Sequence, residues 1–126
     1  MTSDLMRRSG PWRGFWVQGR YRANMSLTLL FANAAVHGNG SDAIGRFSIR
    51  GEVALETQDV SFLKLYGSHV VHYDGLWDGQ MITGVWHITY GRYQESGSFE
   101  LWPSDGADDA IAQIEQLAEA ELPMRR

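Results

Sequence analysis

The sequence predicts an all-β fold: an antiparallel up-and-down barrel of about eight strands, followed by a C-terminal α-helix. Three observations predict it. Between residues 11 and 102, β-rich runs recur at intervals of roughly ten residues, the rhythm of a sandwich or barrel. The punctuation is Gly, Asn and Asp, with 14 Gly against 3 Pro, which suits tight turns and strand bends rather than disorder. After Pro103 the apolar period changes from that of a strand to that of a helix.

Residues 1–10 read as a flexible, polar N-terminal arm, and residues 11–126 as a single barrel domain. The first strand is centred on Gly14-Phe15-Trp16-Val17-Gln18. The second, 25–31, has the clearest alternation: Met25, Leu27, Leu29 and Phe31 share one face, and Ser26 and Thr28 the other. A turn at Asn33 leads to 35–38, and Asn39-Gly40 reads as a further turn. The run 44–53 places Phe47 and Ile49 on one face, opposite Arg46, Ser48 and Arg50. After the polar turn 56–59 come 60–66 and 69–73, broken by Gly67-Ser68. Asp74-Gly75 and Asp78-Gly79 are both hairpin-turn signals. The run 81–90 holds Ile82, Gly84, Trp86 and Ile88 in one phase, and 97–102 closes the series. With no crossover helix between runs, sequential antiparallel pairing follows.

In the tail, Ile111, Ile114, Leu117, Ala118 and Leu122 recur at helical spacing, which predicts a helix over 107–122. Ser104 or Asp105 suits its cap, Asp108 and Asp109 its N-terminal dipole, and Pro123 its end. A single apolar stripe on a terminal helix suggests a lid over one barrel end, or a homodimer contact.

Composition narrows the function classes. A net charge of −4 with no basic stripe argues against nucleic acid as a partner. The absence of Cys excludes disulfides, thiolate metal sites and Cys nucleophiles. The opening MTSDLMRRSG has no apolar signal-peptide core, and no apolar run approaches the roughly 20 residues that span a bilayer. A soluble cytoplasmic protein with no membrane partner is the expectation.

Two Gly-x-Trp units, Gly14-Phe15-Trp16 before the alternating strand and Gly84-Val85-Trp86 on a late one, resemble the calycin group of small barrels: lipocalins, fatty-acid-binding proteins and avidins. The resemblance spans residues 11–102. It implies that an early Trp plugs one barrel end and that the open end binds a small apolar or amphipathic molecule. The spacing Lys64, Tyr66, His69, Val71, Tyr73 and Gly75 also resembles a bacterial domain type, to which no function is attached.

The segment 60–73 is the most informative for chemistry. In one phase, Val60, Phe62, Lys64 and Tyr66 share a face, paired with His69, Val71 and Tyr73 on the next strand. Facing inward, Lys64, Tyr66, His69 and Tyr73 would form a polar cluster in an apolar barrel, able to bind an anionic or carbonyl ligand or to move protons. In the reversed phase Leu63 and Leu65 point inward. Both phases contain apolar residues, and the rarity of fully buried lysine favours Lys64 outward. Tyr66 and Tyr73 suit a half-wet cavity wall.

Trp16 and Trp86 read as plugs and ligand contacts, Trp12 and Trp102 as flanking residues, and Trp77 as an exposed loop-tip anchor. Asp42 and Asp59 are expected at the surface, although either can meet a cation inside a barrel mouth. His69 and His72 face opposite sides, His37 and His87 face outward, and no pair has metal-ligand spacing. Gly38-Asn39-Gly40-Ser41-Asp42 opens no helix, so no phosphate loop is expected, and Gly-x-Ser-x-Gly is absent. No metal or cofactor is expected.

The sequence therefore points first to a small-molecule-binding barrel whose ligand meets Lys64, Tyr66, His69, Tyr73, Trp86 and Trp16. The alternatives are a cofactor-independent isomerase, cyclase or lyase using the same cavity, with Lys64, His69 and Tyr73 as catalytic candidates, and a protein-interaction module built on the Trp77 loop and the helix.

Overall fold

The computed structural model describes residues 4–104. After a 3-10 turn, Asp4–Arg7, eight strands follow: β1 (Gly10–Gln18), β2 (Tyr21–Ala32), β3 (Ala35–Asp42), β4 (Arg46–Ala54), β5 (Asp59–Tyr66), β6 (Val70–Trp77), β7 (Ile82–Tyr90) and β8 (Tyr93–Pro103). Each pairs antiparallel with its chain neighbours, and β8 returns to β1 to close the barrel. The up-and-down barrel predicted from the strand rhythm is the observed fold. The expected helix at 107–122 lies outside the described residues.

Period-2 alternation decides what fills the interior. Met25, Leu27, Leu29 and Phe31 are all buried, as their shared phase requires. Large side chains on the inner phase are interleaved with glycines, which let neighbouring strands and rings approach closely. A Cβ on Gly84 would lie 1.9 Å from the Asp74 carbonyl oxygen, and one on Gly51 2.2 Å from that of Ser61. Alternating bulk of this kind fits large aromatics into a small barrel.

The same packing corrects two turn readings. Asn39 and Gly40 lie inside β3, paired with Thr28 and Leu27 on one side and Ser48 and Phe47 on the other. Gly40 is there for close approach, since a Cβ would meet Leu27 and the Ser26 carbonyl oxygen. Asp74-Gly75 lies inside β6, where Gly75 faces Gly84 across the sheet. The second Asp-Gly pair does turn the chain: Gly79 has φ 101°, and Asp78 Oδ1 accepts the amides of Gln80 and Met81.

One barrel end is closed by aromatics. Trp12 packs 5.7 Å from Phe31 and 5.7 Å from Trp77, ring centre to ring centre. Trp77 is only 4% exposed, so the loop-tip reading fails: it ends β6, paired with Ile82, and points inward. The 3-10 turn covers this end. Leu5 is completely buried, the Trp12 indole donates to the Arg8 carbonyl at 2.8 Å, and Ser9 Oγ accepts the Phe31 amide. The segment read as a polar arm thus contributes a core residue. The plug residues are Trp12, Trp77, Phe31 and Leu5, whereas Trp16 and Trp86 stand near the opposite end.

Candidate functional site

The opposite end opens into a cavity of about 460 Å³. It lies among the β1–β2, β3–β4, β5–β6 and β7–β8 connections. Its deeper wall is Trp16, Tyr73, Trp86 and Val71, and its rim includes Ile44, Tyr66, His69, Tyr90 and Tyr93. Trp16 and Trp86 meet edge to face at 6.2 Å, and the Trp86 indole donates to the Val17 carbonyl at 3.0 Å. Gln18 and Glu95, hydrogen-bonded to each other, supply the polar part of the lining near the mouth.

Beside the cavity sits a charged centre. β5 points Lys64 inward, the phase opposite to that favoured by burial statistics, and its side chain is 1% exposed. Its Nζ lies 2.6 Å from Asp42 Oδ2. The other two donor contacts go to Tyr73 Oη at 3.3 Å and Met25 Sδ at 3.5 Å, so all three N–H bonds are used. The ammonium also sits 4.4 Å from the Phe47 ring centre and 5.0 Å from that of Tyr66. Such ring faces attract a desolvated cation and offset part of its burial cost.

Asp42, the last residue of β3, is where the expectation of a surface carboxylate fails most informatively. Its Oδ1 accepts the Ile44 and Gly45 amides at 3.0 and 3.3 Å and so builds the turn into β4. That turn aims Oδ2 inward, where it accepts from Lys64, from the Trp16 indole at 3.1 Å and from the Tyr66 hydroxyl at 2.5 Å. Five donors therefore converge on one carboxylate, which makes a buried charge tolerable.

These contacts set the titration of the neighbours. Burial pushes Lys64 below its ordinary value, against the raising effect of Asp42. Burial, reinforced by the Asp42 charge, pushes the Tyr66 and Tyr73 phenols well up, so both stay protonated. His69, stacked on Tyr66 at 4.7 Å, is lowered from 6.5 by burial and by the Lys64 charge, and is neutral at pH 7.

Of the sequence candidates, the barrel brings Trp16, Tyr66, His69, Tyr73 and Trp86 to one cavity. Lys64 is not on the cavity surface, and its donors are spent. Asp42 organises the centre and was not among the candidates. Its only signal is phase, two residues beyond Gly40 on the inner face, because its partner stands 22 positions away. Among the described residues no three His, Asp or Glu side chains form a metal-ligand group. His72 and His87 stack at 5.0 Å on the outer face, each opposite the other across β6 and β7.

Comparison with protein-family models, with curated proteins and with solved structures finds no match to this chain. Among the described residues no helix is long and apolar enough to cross a membrane.

Proposed function

We propose that this barrel binds a small apolar or amphipathic molecule in its open end, in the manner of the calycin-type barrels it resembles. The observation that carries this reading is the pairing of one plugged end with one open, aromatic-walled cavity. Ligand sites are typically concave, mostly apolar, and furnished with a few placed polar groups. The cavity volume of about 460 Å³ suits a ligand of one or two fused rings with a short substituent. Trp16, Trp86 and Tyr73 supply the inner walls, and Tyr66 with His69 forms a stacked flank. Lys64 and Asp42 hold these walls in place from behind.

Calorimetric titration with 2-acetylnaphthalene tests this reading. Binding is expected to the native chain and to be at least tenfold weaker in Ile88→Trp, which fills the cavity. No heat at the solubility limit of the probe, or equal binding to both proteins, overturns it.

A second reading, a cofactor-independent enzyme, is favoured by the neutral His69 imidazole on the same cavity as Tyr73. A base and a phenol donor facing one cavity are equipment for moving a proton next to a bound carbonyl. Deuterium exchange into the acetyl methyl of the bound probe, followed by NMR, tests it. Exchange that His69→Gln abolishes supports it, and exchange at the buffer rate rejects it.

A further inference from the structure

The hydrogen-bond inventory around Lys64 leaves one group unspent. The ammonium donates to Tyr73 Oη, so that oxygen acts as an acceptor. A phenol also carries one donor hydrogen. The Lys64 ammonium has no lone pair to receive it, and the Tyr73 hydroxyl has no other hydrogen-bond partner in the described structure. Nor can the proton be shed, because the phenol is buried beside the Asp42 carboxylate. Tyr73 is 2% exposed, lines the cavity, and is fixed by a stacked contact with Phe62 at 4.9 Å and an edge contact with Phe99 at 4.7 Å. A buried polar hydrogen without an acceptor is costly, and a ligand can relieve that cost.

The other polar groups near it offer no such hydrogen. The Trp16 indole and the Tyr66 hydroxyl both donate to Asp42, the Trp86 indole donates to Val17, and Lys64 has no N–H to spare. We infer that Tyr73 is the deep hydrogen-bond donor of the cavity, and that the ligand carries a carbonyl-type oxygen acceptor at its buried end. The ammonium behind it polarises the phenol and strengthens the bond it gives, since donors in series reinforce one another. Lys64 thereby serves the ligand through Tyr73 and not by contact. This inference rests on the binding reading above and specifies the chemistry of its ligand.

The test compares 2-acetylnaphthalene with 2-isopropenylnaphthalene, a close match in shape that lacks the oxygen. The native chain is expected to bind the ketone about tenfold more tightly, the scale of one well-made hydrogen bond. Tyr73→Phe is expected to remove that preference. The infrared carbonyl stretch of the ketone bound to the native chain gives a second readout that needs no variant, and is expected below its value in hexane. Equal affinity for the two probes, with the stretch at its hexane position, overturns the inference and leaves the cavity reading standing. Failure of both probes to bind overturns the reading on which it rests.

Discussion

Lys64 and Asp42 meet at 2.6 Å inside the barrel, with side-chain exposures of 1% and 0%. A pair so placed is a strong constraint. Desolvating both charges costs several kcal/mol each, and their attraction and remaining hydrogen bonds must offset that cost. Removing one partner leaves the other buried and uncompensated. Lys64→Met is therefore expected to lower unfolding stability by about 3–5 kcal/mol. The double variant Lys64→Met/Asp42→Asn is expected to cost less than the sum of the two single changes, because neither charge remains. Urea denaturation of the four proteins measures the coupling, and strict additivity contradicts the pairing.

The glycine-lined interior predicts a contrast between two substitutions of the same type. Gly84→Ala drives a Cβ against the Asp74 carbonyl oxygen and the Gly75 Cα, both backbone atoms, so two strands must move apart. A loss of at least about 2 kcal/mol is expected, in the range of overpacked cores. At Gly67 nothing lies within 4 Å of a new Cβ, and Gly67→Ala is expected to be neutral within about 0.5 kcal/mol. Thermal or urea unfolding of both variants decides.

Alkaline pH tests the buried phenols. In the unfolded chain Tyr66 and Tyr73 release protons near pH 10, whereas in the barrel both are raised by burial and by Asp42. Their contribution is fully present below pH 10 and lost as pH rises above it, by up to about 1.4 kcal/mol per pH unit for each phenol. Lys64 acts oppositely, its lowered value making the fold gain as pH approaches 10.5, with no further change above. Above pH 10.5 the tyrosines alone decide, and stability is expected to fall steeply. Absorbance titration is expected to show two of the five tyrosines ionising only as the chain unfolds. Ionisation of all five in the folded state contradicts the burial of this centre.

Leu5 offers a check on the plugged end. Its complete burial predicts a loss of about 2–5 kcal/mol for Leu5→Ala, as for other core leucines. A neutral effect in urea denaturation is what a loose polar arm predicts instead.

The barrel was legible because strand phase is written locally. Met25, Leu27, Leu29 and Phe31 alternate with polar residues, and their inward face follows without knowing the partner strands. Val60–Tyr66 was ambiguous because Leu63 and Leu65 make the outer phase apolar as well. What turns Lys64 inward is Asp42, on a strand that is not an immediate neighbour, and no short-range pattern reports that pairing. Gly40 and Gly75 misled for a related reason. Asn-Gly and Asp-Gly mark turns when the glycine's torsion freedom is used, but here its missing side chain is what the barrel uses. Trp77 belongs with Gly75: because the chain turns at Asp78-Gly79 and not at Asp74-Gly75, the tryptophan stays in the strand and on its inner face. Within the site, Tyr66, His69, Tyr73, Trp16 and Trp86 were visible as one aromatic and polar set. The separation of Lys64 from the cavity surface was not, because it depends on where each of three N–H bonds ends.

The proposed function requires that one end of this barrel admit a ligand while the aromatic plug keeps the other closed. Amide and indole NMR spectra recorded during titration with 2-acetylnaphthalene test it most directly, because the five tryptophans sit at different places. Large shifts are expected of the Trp16 and Trp86 indole signals, which line the cavity, and none at Trp12 and Trp77, which close the far end. Shifts confined to Trp102, which packs beside Arg13 and Phe15 away from the cavity, or equal shifts at all five indoles, contradict it.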